Sequence, residues 1–368
     1  MRAMLLRQPK PIDERPLELV ELARPRPGAG EILIAVSACG VCHTDLHVAE
    51  GELPPHKSPV VPGHQIVGRV VELGEGVTEH RVGDRVGVPW LHSTDGTCRY
   101  CRRGDENLCD AARFTGWDTD GGFAEFTVAP AAFSYPLHEK LSDLAAAPLL
   151  CAGIIGYRSL RLSGLVPAAV TAGAAAGATG SAGDATGPPG AGAAAGRRLG
   201  LYGFGAAAHI CLQIARYWGA EVYAFTRDEK HRGLARELGA VWAGAAGEPP
   251  GGDPVVKLDA AIVFAPVGEL AVEALKALDK GGTVAMGGIY SSPVPAFEYP
   301  LLYGERVIRS VTNSTRRDAA DLLRLAAAIP IVTEIQVYPL DQAGEALIAL
   351  KHDGIRGAAV LQVAPDAT

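Results

Sequence analysis

No stretch of this 368-residue chain approaches the roughly 20 consecutive apolar residues that span a bilayer. There is no excess of positive charge either. Lys and Arg number 34 against 41 Asp and Glu, and the net charge of -7 gives no electrostatic case for nucleic acid or an anionic membrane as partner. The first residues do not read as an apolar leader either. Met1 to Leu6 is soon interrupted by Arg7 and Lys10, too early for a secretory signal, so the expected location is the cytoplasm. What is present is a globular composition, 48% hydrophobic and 20% charged, with length enough for two domains that each bury a core.

Seven cysteines make an odd count, and Cys98, Cys101 and Cys109 lie close together. In a cytosolic chain such spacing points to a metal before disulfides. Cys39 and Cys211 read as buried small hydrophobes. The densest chemistry lies in Cys39-Gly40-Val41-Cys42-His43-Thr44-Asp45-Leu46-His47, with Gly63-His64-Gln65 about twenty residues on. Sulfur and imidazole this close together suit zinc, with Cys42 and His64 as ligands, and a zinc site with an open position is a catalytic one.

Over the first 135 or so residues, 1–35 alternate polar and apolar and end in the strand-like 31–36, and 67–74, 83–88 and 121–128 read as further strands with glycine turns. They predict a mostly β, rolled or barrel-like domain. Residues 145–162 read as helical apart from Pro148, Gly153 and Gly156. From Ala168 to Gly196, 21 of 29 residues are Ala or Gly, and no large apolar side chain follows Val170. Such a segment buries too little to offset the entropy of ordering and is expected to be a flexible surface insertion. Its eight glycines and Pro188-Pro189 argue against an alanine helix, and it lacks the Lys-Ser/Thr ending of a phosphate-cradling loop.

A strand then runs into Gly203-x-Gly205-x-x-Ala208, which opens a helix that Gly219 ends. Gly203 would make the tight turn, Gly205 would admit a pyrophosphate, and Ala208 would let helix and strand pack closely. The β-α-β alternation continues through strands at 221–225, 259–264 and 282–287 and helices at 229–238 and 269–278. This predicts a Rossmann-type, doubly wound parallel sheet and an α/β chain overall. Where an NAD site usually carries a carboxylate, this chain has Thr226 followed by Arg227, which favours NADP, with Asp228 and Glu229 as opposing charges close by. Helices at 319–329 and 342–350 and strands at 334–338 and 358–363 are expected to rejoin the first domain.

Together these motifs resemble the zinc-dependent alcohol dehydrogenases of the medium-chain dehydrogenase/reductase family, over nearly the whole chain except the Ala/Gly-rich segment. The resemblance implies a GroES-like catalytic domain from 1–155 and 313–368 and a Rossmann domain from 156–312, with the insertion at 168–196. It implies a catalytic zinc held by Cys42, His64 and Cys151, leaving one position for water or the substrate oxygen. It implies that Thr44 hydrogen-bonds the alcohol oxygen, that His47 passes its proton to solvent, and that Asp45 orients the His64 ring. His43 and Arg356 match contacts to the cofactor pyrophosphate. Trp90, Trp117 and Leu150 match positions lining the alcohol pocket.

Two departures from the family stand out. Gln65 replaces a glutamate in Gly-His-Glu, so no anion is there to exchange onto the metal. The structural zinc lobe, C-x2-C-x2-C-x7-C in the family, is Asp95-x2-Cys98-x2-Cys101-x7-Cys109 here. An Asp/Cys3 zinc site is feasible, though the harder oxygen binds more weakly than a fourth thiolate. The expected substrate is a small alcohol, aldehyde or ketone, the cofactor NADP or NAD, and the assembly a homodimer or homotetramer paired through Val307 to Ser310. A cinnamyl-type aldehyde reductase and a cofactor-binding protein without turnover are the alternatives.

Overall fold

The computed structural model describes residues 1–166 and 188–364. Part of the expected insertion, 168–187, lies outside them. The chain divides into two compact units, Met1–Cys151 with Asn313–Leu323 and Val332–Thr368, and Ala152–Thr312 with Arg324–Ile331. The division falls after Cys151 rather than after residue 155, and it assigns residues 324–331 to the second unit.

The first unit is built on strand Glu31–Val41, whose apolar residues are buried along almost its whole length. It pairs antiparallel with Ile66–Leu73, Phe126–Pro130 and Ala358–Gln362, so one strand carries three neighbours of a seven-stranded sheet. Such a strand has little use for a polar face, which is why it reads as a continuous run. Ile32, Ile34, Val36, Val60, Ile66, Phe123 and Leu361 form its core with the amino-terminal hairpin Arg2–Leu6/Leu17–Glu21. Full burial of a side chain such as Phe123 is worth about 1.5–3 kcal/mol. The strand delivers Cys42 at its end, directly before helix His43–Glu50.

The helix read over 145–162 is interrupted. A short helix Asp143–Ala146 passes into a 3-10 turn Ala147–Leu150, with Pro148 in its first positions, and helix Ala152–Leu162 starts afresh. Cys151 sits at the break with φ -130° and ψ -71°. It is therefore held at a kink rather than within a helix.

The second unit contains a six-stranded sheet whose pairs are all parallel. Its spatial order is Trp242–Gly244, Glu221–Phe225, Arg198–Tyr202, Leu258–Val263, Leu278–Met286, Val307–Ser310. In chain order this is 3-2-1-4-5-6, the doubly wound arrangement, with its switch point beside the first strand. The short strand Trp242–Gly244 was not legible in the sequence, since three residues show no alternation. Helix Ala152–Leu162 packs on helix Ala206–Tyr217, and a Cβ at Gly156 would lie 2.5 Å from the Cys211 sulfur. That close approach explains Cys211 as a core residue and why residues 152–155 go with this unit.

Residues 188–196 differ from the expected loose loop. They form turns tied to the end of helix Ala206–Tyr217: Trp218 Nε1 donates to Pro189 O at 2.9 Å and Ala194 N to Trp218 O at 2.7 Å. Ala194 is buried. The segment passes close to Gly219, where an added Cβ would lie 3.2 Å from Ala195 Cα and 3.4 Å from Gly192 Cα.

Candidate active site

Asp45 organises the site in the first unit. Cys42 caps helix His43–Glu50, its Sγ accepting from Thr44 N at 3.4 Å, while Asp45 Oδ2 accepts from Cys42 N at 2.9 Å. This is a capping box with sulfur in place of the usual hydroxyl. Asp45 Oδ1 accepts from Gly63 N at 3.1 Å and from His64 Nδ1 at 2.9 Å. Both side chains are almost completely buried. The carboxylate thus sets the His64 tautomer and leaves Nε2 facing the Cys42 sulfur at 3.2 Å.

Cys151 completes the group. One ligand atom each from Cys42, His64 and Cys151 lies within 4.8 Å of the others. The Cys151 thiol and burial push the Cys42 thiol well above its ordinary range. Burial opposes charging of His64, but Asp45 and Cys42 outweigh it and raise the imidazole to about 10. The Cys42 thiol and the His64 imidazole thus hold protons that a divalent cation would displace. Two sulfurs and one nitrogen, with Asp45 behind the imidazole, fit zinc with an open fourth position.

A second group among the described residues is Asp95, Cys98, Cys101 and Cys109, again with ligand atoms within 4.8 Å. Asp95 Oδ1 accepts from Thr97 N at 2.8 Å and Cys98 N at 2.9 Å, so its own turn aims the carboxylate. Those amides hold the carboxyl far below its usual range. Cys98 Sγ accepts from Cys101 N at 3.4 Å, which draws that thiol down, whereas burial raises Cys101 to about 11. Three sulfurs and an anionic oxygen also suit zinc.

Thr44 and His47 follow Cys42 on the same helix, and the His43 and His47 rings lie 6.4 Å apart. His43 is exposed. His47 Nδ1 is hydrogen-bonded to the carboxylate of Glu52, a partner that sequence reasoning missed. Arg356 Nε lies 3.7 Å from Glu334. Gln65 is buried, with its side chain against Gly40, where a Cβ would come within 2.8 Å of the amide.

Trp90 stands edge-on to His64, with ring centroids 4.8 Å apart, and stacks on Phe114 at 5.1 Å and Trp117 at 6.0 Å. Trp117 is stacked on its own side by His56 at 3.9 Å and donates through Nε1 to Pro54 O. Leu150 is buried against Gly87. Trp90 is thus the aromatic ring next to the metal-ligand group, and Trp117 supports it.

In the second unit, Gly203 takes φ +85°, and a Cβ there would meet Ala265 N at 2.8 Å. Gly205 caps helix Ala206–Tyr217, where an added Cβ would meet nothing within 4 Å, and Ala208 is fully buried. The open side of this turn and its unpaired helix-end amides suit a pyrophosphate. Thr226 and Arg227 follow the second strand; Arg227 is exposed and makes no ion pair among the described residues. Asp228 is used as a helix cap, accepting from Lys230 N at 2.7 Å, and Glu229 pairs with Arg236 at 2.6 Å and Arg232 at 3.5 Å. Arg232 Nε also donates to Thr226 O at 2.9 Å, a second cation at this strand end that the sequence did not reveal. Its position five residues after Arg227 was the available signal.

Comparison with known proteins agrees with this geometry. Residues 28–139 match the alcohol dehydrogenase GroES-like domain family, and residues 207–328 match the zinc-binding dehydrogenase family. The chain is 49% identical to the probable alcohol dehydrogenase AdhA of Mycobacterium tuberculosis, over 99% of this chain and 97% of that protein. It is 34% identical to an alcohol dehydrogenase of Geobacillus stearothermophilus, over 96% and 97%. Among solved structures, a cinnamyl alcohol dehydrogenase from Sorghum bicolor matches with a TM-score of 0.83 at 26% identity, over 100% of this chain and 98% of that one. With a GroES-like unit carrying the Cys42/His64/Cys151 group and a doubly wound nucleotide-type unit, the chain belongs to the zinc-dependent alcohol dehydrogenases of the medium-chain dehydrogenase/reductase family.

Proposed function

We propose that this enzyme interconverts a primary or secondary alcohol and its aldehyde or ketone, with zinc held by Cys42, His64 and Cys151 and with NADP used in preference to NAD. The convergence of those three ligand atoms within 4.8 Å carries the reading. Bound there, zinc supplies Lewis acidity that makes an alcohol acidic near neutral pH. Asp45 keeps the His64 nitrogen aimed at the site. Thr44, two residues from Cys42, hydrogen-bonds the alcohol oxygen, and His47 takes the proton onward. The Gly203–Ala208 turn would hold the pyrophosphate of a nicotinamide dinucleotide, which would supply the hydride acceptor, and His43 and Arg356 would be further phosphate contacts. Asp95, Cys98, Cys101 and Cys109 hold a second, structural zinc.

The preference for NADP rests on Thr226 and Arg227. No carboxylate ends the strand to repel a 2′-phosphate. Asp228 and Glu229 are already committed to a helix cap and to arginines, which leaves the Arg227 guanidinium to pair with that phosphate. An aryl or cinnamyl-type carbonyl is favoured among substrates by Trp90 beside His64. All seven cysteines are free, as metal ligation in the cytoplasm requires. Strand Val307–Ser310 ends the sheet and is the edge through which two copies pair.

Initial rates with NADH and NADPH over an aldehyde panel, before and after chelation, test this reading. Activity that survives full zinc removal, or a Cys42→Ser variant that turns over normally, would sink the zinc mechanism. A clear preference for NADH would sink the assignment of Arg227.

A further inference from the structure

We propose that Glu52 is a positioning residue for His47: it fixes the imidazole tautomer and receives the outgoing proton on its way to water. The inference rests on the reading of His47 as the proton carrier. Its observation is the hydrogen bond between His47 Nδ1 and the Glu52 carboxylate. The two groups differ sharply in exposure: the His47 side chain is 13% exposed and Glu52 55%. The carboxylate thus stands between a mostly buried imidazole and solvent.

The backbone brings this about. Helix His43–Glu50 ends at Gly51, which takes φ +81° in the left-handed region. A Cβ there would lie 2.9 Å from Pro9 Cβ, so glycine is required twice over. The reversal is closed by Leu53 N donating to His47 O at 3.0 Å. Residue 52 is thereby folded back over the last turn of the helix, against position 47. Replacing Gly51 would move Glu52 before it moved His47.

The chemistry follows from donor and acceptor capacity. An ionised carboxylate only accepts, so the hydrogen sits on Nδ1 and Nε2 is left as the basic nitrogen. A carboxylate that orients a histidine in this way presents Nε2 as the base, and the two ring nitrogens let the imidazole take a proton on one side and release one on the other. Alcohol oxidation loses a hydride to the cofactor and one proton to the protein. Nε2 takes that proton, the Nδ1 hydrogen passes to a Glu52 oxygen, and Glu52 returns to its anion by releasing it to water. One proton reaches water; the imidazole, left protonated at Nε2, gives that hydrogen to water and regains one at Nδ1 before the next turnover, and carbonyl reduction runs the same steps backwards.

The test uses the zinc-loaded, full-length enzyme and two kinds of measurement. The first is 15N NMR of histidine-labelled protein, with His47 identified by its loss in His47→Gln. The expected result is an Nδ1-protonated His47 that becomes a mixture of tautomers in Glu52→Gln and is restored in Glu52→Asp. The second is single-turnover alcohol oxidation followed by cofactor absorbance. Glu52→Gln should slow it by about tenfold, the lower end of what losing a partner of a functional histidine costs, with alcohol affinity unchanged. Its solvent deuterium isotope effect should rise, and Glu52→Asp should recover most of the rate.

The outcomes separate the two ideas. If His47→Gln oxidises alcohol at the normal rate, the proton-carrier reading fails and takes this one with it. If His47→Gln is slow while Glu52→Gln behaves like the parent, the carrier stands and Glu52 is excluded. An Nε2-protonated His47 in the parent, or a Glu52→Gln defect that appears only as a lower thermal midpoint, also overturns the assignment.

Discussion

Asp45 accepts hydrogen bonds from Cys42 N, Gly63 N and His64 Nδ1, and so joins a helix cap to a metal-ligand group. Asp45→Asn keeps the shape but loses the charge. Zinc affinity at the Cys42/His64/Cys151 site should fall about 10–100-fold, read by competition with a chromogenic chelator. Asp95 poses the complementary case. Asp95→Cys replaces a hard oxygen with sulfur and should slow zinc loss from the second site, whereas Asp95→Ala should leave one tightly bound zinc per chain. Metal counting after mild chelation distinguishes the two, and two retained zincs in Asp95→Ala would remove Asp95 from the ligand set. At the cofactor end, Arg227→Ala should raise KM for NADPH by about tenfold or more, the worth of a hydrogen bond to a charged group, with little effect on NADH. Thr226→Asp should move preference toward NADH, since its carboxylate repels a 2′-phosphate and accepts from a 2′-hydroxyl.

Between elements, one close approach is that of helix Ala152–Leu162 on helix Ala206–Tyr217. A Cβ at Gly156 would come within 2.5 Å of Cys211 Sγ. Gly156→Ala should therefore destabilise the protein by about 1–3 kcal/mol, the usual cost of overpacking, despite the better helix propensity of alanine. Gly156→Ala with Cys211→Ala should recover much of the loss, because the clash disappears; urea unfolding of both variants and their double mutant measures the coupling. Additive effects would place the strain elsewhere. The same packing shows why this region was only partly legible. Periodicity located both helices, but the break at Cys151 depends on Pro148 starting a 3-10 turn and on the packing of Leu149 and Leu150 below it. Pro148 marks an interruption within 145–162, but nothing local announces that the residue leaving the helix is Cys151.

For the whole molecule, the proposed pairing of copies turns on an exposed sheet edge. Val307 is 45% exposed on the last strand of the six-stranded sheet, and Val294, Tyr299 and Tyr303 are also exposed in the second unit. Unpaired edges with apolar neighbours tend to find another edge. The protein should elute as a dimer or larger, and Val307→Lys should shift it toward the monomer on size-exclusion chromatography with activity per chain measured alongside. A parent that elutes as a 38.3 kDa monomer at micromolar concentration would dispose of edge pairing.

The two kinds of unit, the order of most strands and helices, the glycine turn at 203–208 and the residue types that can bind zinc were all legible in the amino-acid order. These are local properties: period, turn chemistry, and the donor atoms a side chain carries. Which of those donors meet is a matter of folding at long range. Cys42 and His64 are 22 residues apart and Cys151 lies 87 beyond His64, yet their ligand atoms come within 4.8 Å, because strand pairing and a helix break bring them together. The fold also assigns partners to ordinary-looking residues. Glu52 reaches His47 through a left-handed turn, Arg232 reaches Thr226 across the first turn of a helix, and residues 190–196 are tied down by Ala194, which is buried and donates its N–H to Trp218 O. Such contacts depend on shape at a distance along the chain, and composition cannot encode them one segment at a time.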